Sequence, residues 1–256
     1  MKSRLYAFAL LLAATLVPGA VIPASAQSFT PAQRGEIEAI VKDYLLKNPE
    51  ILREVASALE KQQAEADASK GREGIKKHAS VLFSSPRQVV LGNPRGDVTM
   101  VEFFDYNCGY CKRALADMQE LIKGDPKLRV VLKEFPVLGE GSVQAAQVAA
   151  AAAMQDKTGK KYLEFHRKLL TSRGQIGKAQ ALAAAKEAGF DVARIERDIA
   201  GAEVRKTLEE SFMLAEALGL NGTPSYVIGS NVVIGAVGLA KLKENINQAR
   251  CGKSAC

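Results

Sequence analysis

Cys108-Gly109-Tyr110-Cys111 is the strongest chemical signal in the sequence. The pair follows the apolar run Val101 to Phe104 and opens a helical stretch, Lys112 to Lys123, so it is expected at a strand, turn, helix junction. At a helix start, unpaired backbone N–H groups and the positive end of the dipole favour an anion. Cys108 is therefore expected to ionise readily and to attack as a thiolate, with Gly109 and Tyr110 shaping the turn around it. Cys111, one helical turn on, faces inward and can close on a mixed disulfide. An inert structural disulfide is one alternative. A metal site is another, but zinc normally takes four protein ligands, and neither a second CxxC nor a nearby His completes a set. The expectation is redox chemistry with no metal and no cofactor, and a two-coordinate Cu(I) site on Cys108 and Cys111 is the competing chemistry that sulfur softness permits.

Other residues carry weaker signals. Gly222-Thr223-Pro224-Ser225 precedes a hairpin, and a proline there cannot donate to a strand ladder while the residue before it is held extended. A cis Thr223-Pro224 bond would open the Thr223 backbone to an extended substrate near Cys108, although most X-Pro bonds are trans. Cys251 and Cys256 end the chain with Gly252 between them. In an oxidising compartment they are expected to form a small terminal disulfide rather than two free thiols or a tail metal clip. His78 and His166 have no ligand or nucleophile spacing, so solvent or a local hydrogen bond is the default. Phe103, Phe104, Phe135, Met118, Met154 and Met213 are expected to fill core.

The elements that must position these residues alternate in period. Val89 to Leu91, Val98 to Phe104, Arg129 to Phe135, Tyr226 to Ile228 and Val232 to Ile234 are short β-branched and aromatic runs bounded by turn residues. Gly141 to Leu220 reads as helices, and Leu239 to Arg250 as a last helix. The order gives an α/β layer with a helical insertion. Ahead of it, Thr30-Pro31-Ala32-Gln33 starts a helix to Lys47, and Asn48-Pro49 starts another. Their apolar residues, Ile37, Ile40, Val41, Tyr44, Leu45, Ile51, Leu52, Val55 and Leu59, need a surface, either the main domain or other copies of the chain. From Gln62 the sequence is expected to fade from charged helix into a linker ending near Ser80.

The 256 residues, 47% apolar and 25% charged, exclude a disordered or multi-span membrane protein. Met1 to Ala26 has a basic start, an apolar stretch from Leu5 to Val17 and Ala24-Ser25-Ala26, which is the pattern of a signal peptide cleaved after Ala26. The apolar stretch falls short of the roughly 20 residues a spanning anchor needs. Export matters because it places the four cysteines in an oxidising space. The net charge of +7 falls to +5 once Lys2 and Arg4 are removed, and the remaining excess is scattered, so no nucleic-acid partner is expected.

Val101-Glu102-Phe103-Phe104-Asp105-Tyr106-Asn107 before the CxxC, then Lys133-Glu134-Phe135-Pro136, the helical insertion, and Gly222-Thr223-Pro224-Ser225-Tyr226-Val227-Ile228-Gly229 resemble the DsbA-like branch of the thioredoxin superfamily over about Gln88 to Arg250. The resemblance implies a thioredoxin fold in a catalytic domain over 81–256, with its helical insertion at about 141–220. It also implies that Pro224 is a cis-proline opposite the cysteines, that Thr223 contacts substrate, and that Glu102 is a buried acid beneath the pair. A carboxylate buried there would have a raised pKa and could shuttle the Cys111 proton, whereas a partly exposed Glu102 paired with Lys133 is the alternative.

A signal peptide, two helices with Lys47-Asn48-Pro49-Glu50-Ile51 and a charged linker ahead of such a domain resemble the ScsC-type (suppressor of copper sensitivity) group. That implies a helical oligomerisation segment and linker over 27–80, a homo-oligomer such as a trimer, disulfide isomerase activity and a link to copper tolerance. The Gly-Tyr pair is that of the dimeric isomerase DsbC, where related ScsC proteins often carry Pro-Tyr. The absence of a His between the cysteines, present in the strongly oxidising DsbA, implies a milder redox poise. The expectation is a periplasmic disulfide isomerase or reductase acting on cysteine-containing client proteins and recycled by a membrane or periplasmic redox partner. The alternatives are a DsbA-like dithiol oxidase and a Cu(I)-binding protein.

Overall fold

A computed structural model describes residues 29–156 and 158–256; the expected signal peptide and its cleavage after Ala26 lie outside the described residues. The five β-rich runs become β1 (Val89–Gly92), β2 (Val98–Phe104), β3 (Leu128–Glu134), β4 (Ser225–Ile228) and β5 (Asn231–Ile234). They form one sheet in the order β1-β3-β2-β4-β5. β2 and β3 pair in parallel at its centre and the other pairs are antiparallel. Parallel neighbours need a crossover, which α3 (Gly109–Gly124) supplies. Both central strands are apolar along most of their length because helices cover both sheet faces.

Side chains alternate across the sheet. Met100 and Phe104 join one core with Cys111, Leu115 and Met118 of α3, Leu242 and Ile246 of α9 (Leu239–Cys251), and Tyr226 of β4. Val101 and Phe103 join the other, with Ile75 and Leu82 of α2 (Glu50–Ser84) and Leu214 and Leu218 of α8 (Ala202–Leu218). Glu102 falls on the α3 face by the same alternation. The expected insertion is the helical array α4 (Glu140–Ala153), α5 (Lys160–Thr171), α6 (Lys178–Glu187), α7 (Val192–Asp198) and α8. Small residues such as Ala149, Ala152 and Ala185 let these helices close around Phe165, Leu169 and Ile195, all fully buried.

The chain divides into two compact units between Ser57 and Ala58. In the first, α1 (Pro31–Lys47) opens with the expected capping box between Thr30 and Gln33, and none of its residues is buried. Ile40, Tyr44, Leu46 and Val55 are all more than half exposed.

The structure corrects two sequence expectations. Gln62 to Ser80 is not a linker: α2 runs to Ser84, with only His78 leaving helical geometry at φ −110°, ψ 15°. The stretch is rich in Ala, Glu, Lys and Gln and has no proline to stop it. Gly71 and Gly74 are buried, and a Cβ on Gly74 would lie 2.5 Å from the Ala217 carbonyl oxygen, so glycine is what lets α2 approach α8. Met213 fills no core; it is 39% exposed beside Phe212 on the outer face of α8. Of the two settings expected for His166, the structure shows the hydrogen-bonded one: it is fully enclosed, with Nδ1 3.3 Å from the Tyr106 hydroxyl.

Candidate active site

Cys108 is the N-cap of α3, in extended geometry at φ −76°, ψ 115°. Its own N–H donates to the Asp105 carbonyl at 3.1 Å, and its carbonyl accepts from Lys112 N–H at 3.1 Å, so the turn and the helix meet at this residue. Cys111 is completely buried and Cys108 retains 6% exposure. Both thiols are free. The Thr223-Pro224 bond is cis, and the Cys108 thiol donates to the Thr223 carbonyl at 3.1 Å. Tyr110 is 60% exposed, with the Arg113 guanidinium 4.3 Å above its ring. Gly109 has open space where a Cβ would stand, so no neighbour demands glycine there.

The two thiols are electrostatically unequal. A hydrogen bond from Cys111 lowers the Cys108 pKa to about 5 against the opposing effect of burial, with further help from the Thr223 side chain and the backbone N–H groups of Cys111 and Tyr110. The Thr223 carbonyl accepts from the thiol and by itself favours the protonated form, but the donors at the helix start outnumber it. Cys111 is pushed up, first by its hydrogen bond to Cys108 and then by burial, with the backbone of Asp105 acting in the opposite sense. The attacking sulfur is ionised and the resolving sulfur is held protonated.

Glu102 lies on β2 opposite Leu132 of β3 and Tyr226 of β4. It is 3% exposed, and its Oε2 has no hydrogen-bond partner among the described residues. Burial and then the charge of Asp117 raise its pKa to about 8. Lys133 does not pair with it, because that lysine points to the opposite sheet face and donates to Glu210 Oε1 at 2.7 Å and to the Val81 carbonyl at 3.1 Å. The sign of the pH effect follows directly. Between pH 4.5 and 8 the unfolded chain ionises Glu102 while the folded chain keeps it protonated, so stability falls as pH rises through that window. Glu102→Gln is expected to raise Tm at pH 8 and to leave it nearly unchanged at pH 4; thermal melts at both values check this.

Cys251 and Cys256 form a disulfide at the end of α9. There Arg250 bonds Asp97 at 2.9 Å and Asp125, just past the C-terminal end of α3, at 2.8 Å. Arg250, next to Cys251, thus ties the end of α9 to the far end of α3, about 24 Å along that helix from its start at Cys108.

Residues that sequence reasoning did not single out complete the surroundings. Glu134 is buried on the α3 face, accepting from the Tyr162 hydroxyl at 2.6 Å and the Tyr106 hydroxyl at 3.4 Å. Lys112 donates to the Ser172 carbonyl at 2.9 Å, tying α3 to the end of α5. Asp105 and Asn107 flank Tyr106 directly before the CxxC, and an Asp or Asn ahead of a helix start is a turn signal that could have marked them.

Comparison with known proteins places this geometry in a lineage. Residues 99–247 match the DSBA-like thioredoxin domain, and residues 33–66 match the Copper resistance protein ScsC N-terminal domain. A thioredoxin-like oxidoreductase from Silicibacter pomeroyi DSS-3 is 44% identical, covering 67% of this chain and 96% of that one, with TM-score 0.63. ScsC of Proteus mirabilis in a transitional conformation is 28% identical, covering 88% of this chain and all of that one, with TM-score 0.64. Among curated proteins, the Na(+)/H(+) antiporter NhaA 1 of Salinispora arenicola is 26% identical over 166 residues, and the chain spans only 25% of its length. The five-stranded sheet, the helical insertion and the CxxC at a helix start opposite Thr223-Pro224 are a thioredoxin fold of the DsbA type, and the chain belongs to the DsbA-like thioredoxin family, a family of thiol-disulfide oxidoreductases, with an ScsC-type N-terminal segment.

Proposed function

We propose that this protein is an exported, periplasmic disulfide isomerase or reductase that works as a homo-oligomer, a trimer by its likeness to ScsC. One observation carries the reading: an ionised Cys108 at the start of α3, 3.1 Å from the Thr223 carbonyl, backed by a protonated and enclosed Cys111. Reduced Cys108 attacks a client disulfide. The new Cys108–client bond forms as the old one breaks, and the departing client sulfur takes the electron pair. The freed client thiolate can then attack elsewhere in the client, and when the correct bond forms, Cys108 leaves as a thiolate with no net oxidation. Where the mixed disulfide stalls, Cys111 gives up its proton and attacks Cys108. This releases a reduced client and an oxidised Cys108–Cys111 pair, which a two-electron thiol partner of the periplasm or membrane must reduce again.

Glu102 is the acceptor and return donor for the Cys111 proton, because it is the buried acid whose charge acts on Cys111, and with a pKa near 8 its ionised fraction at neutral pH can take that proton and return it. Thr223 and Pro224 present extended backbone to the client, and the part of residues 27–80 ahead of the buried Gly71 supplies the oligomerisation segment. Clients are cysteine-containing polypeptides. Reactivation of scrambled ribonuclease by the reduced full-length protein tests the proposal. Efficient reactivation with slow oxidation of reduced ribonuclease is the expected result, and the reverse pattern would assign a dithiol oxidase instead.

A further inference from the structure

Asp105 is 1% exposed, and its carboxylate is surrounded by donors. Oδ1 accepts from Asn107 N–H at 2.8 Å and from the Ser142 hydroxyl at 2.8 Å, while Oδ2 accepts from the N–H groups of Val137 and Leu138 at 2.9 and 3.0 Å. These donors come from the redox loop, the segment after β3 and the first turn of α4. Asn107 extends the clamp into the insertion: its Nδ2 donates to Ser142 Oγ at 3.0 Å and to the Ile176 carbonyl at 2.9 Å, and its Oδ1 accepts from Ile176 N–H at 2.7 Å. Gly139 makes the geometry possible, since at φ 97° the chain turns from the two N–H groups into α4 without strain.

The backbone of the same residue bonds Cys108 and bears on Cys111. The Asp105 carbonyl accepts from Cys108 N–H at 3.1 Å, and the Asp105 backbone acts to lower the Cys111 pKa against the larger effects that raise it. A carboxylate with both oxygens doubly bonded has no freedom to move, so the peptide groups attached to it are fixed as well.

We propose that Asp105 is a positioning residue for the dithiol, its clamped carboxylate holding the redox loop so that the backbone donors at the start of α3 converge on Cys108. The proposal rests on thiol exchange through Cys108, but its test is independent of turnover.

The pH profile of iodoacetamide alkylation of Cys108 in the reduced full-length protein reads the thiolate directly. Asp105→Asn keeps the shape but must point an NH2 group at donors on one side. If positioning dominates, the loop loosens and the alkylation midpoint rises by about one pH unit, the size of one lost charge-assisted hydrogen bond. If the carboxylate acts only as a nearby negative charge, removing it stabilises the thiolate and the midpoint falls. Asp105→Glu keeps the charge but displaces it, and positioning again requires a rise. Glu102 and Tyr226, the other titratable groups facing the pair, are untouched by either change. A midpoint that falls or stays put in the folded Asp105 variants overturns the proposal. Should they not fold, Ser142→Ala, which removes one donor to Asp105 and one acceptor for Asn107, decides: a smaller rise supports the clamp and an unchanged midpoint overturns it. Cys108→Ser is the control on the underlying reading, since turnover that survives it sinks thiol exchange while leaving the clamp geometry untouched.

Discussion

Cys108→Ser is expected to reduce scrambled-ribonuclease reactivation to the uncatalysed background, while Cys111→Ser keeps the attack and loses the escape. With a pKa near 5, Cys108 is roughly 99% ionised at pH 7, against roughly 1% for a thiol at its ordinary value of 9.0. A serine hydroxyl supplies no comparable nucleophile, and Cys111 cannot substitute because it is completely buried and held protonated. In Cys111→Ser, Cys108 still opens client disulfides, but mixed disulfides that fail to rearrange have no internal thiol to release them. They should accumulate as covalent protein–client adducts, visible on gels run without reductant and dispersed by it. Removal of Cys111 also takes away the largest stabilisation of the Cys108 thiolate, so the alkylation midpoint of Cys108 in that variant should move above 5. Equal turnover of both variants and the parent would end the dithiol mechanism.

The second large effect concerns the N-terminal unit. Ile40, Val41, Tyr44, Leu46, Leu52 and Val55 are exposed at half or more of their surface, an apolar area that an assembly would cover. Deleting residues 27–57 should convert an oligomer into a monomer by light scattering. On the proposed function it should also weaken isomerase activity and raise dithiol oxidase activity, because several active sites would no longer face one client. The cut belongs at Ser57 and not further along, since Gly71, Gly74 and Ile75 are buried and pack within the catalytic unit. A deletion extended through Ile75 should lose stability as well as association, and a full-length protein that is already monomeric would remove the basis for oligomer-dependent isomerisation.

Most of the fold was legible because its signals are local. The strand runs around Val98–Phe104 and Leu128–Glu134 alternate or stay apolar over a few residues, and Thr30, Pro31 and Gln33 announce a helix start within four positions. The CxxC was legible for the same reason: strand, turn and helix follow one another along the chain. The extent of α2 was not. Its Ala, Lys and Glu composition suits an exposed helix and a linker alike, and what distinguishes them is the surface of α8 and β5, remote in sequence, against which Gly71 and Gly74 close. The surroundings of His166 were hidden similarly, since Tyr106 and Glu134 reach that helix from a loop and a strand elsewhere.

By itself, then, the sequence determined which sulfur chemistry is available and that Cys108 begins a helix, because dipole and capping act over a single turn. Only the tertiary structure decided that Thr223 stands 3.1 Å from that sulfur, that the Oε2 of buried Glu102 has no partner among the described residues and that Lys133 turns away from it, and that Asp105 binds the redox loop to the segment after β3 and to the insertion. Those relations depend on burial and on donors more than 30 residues away in the chain, and no local pattern encodes either.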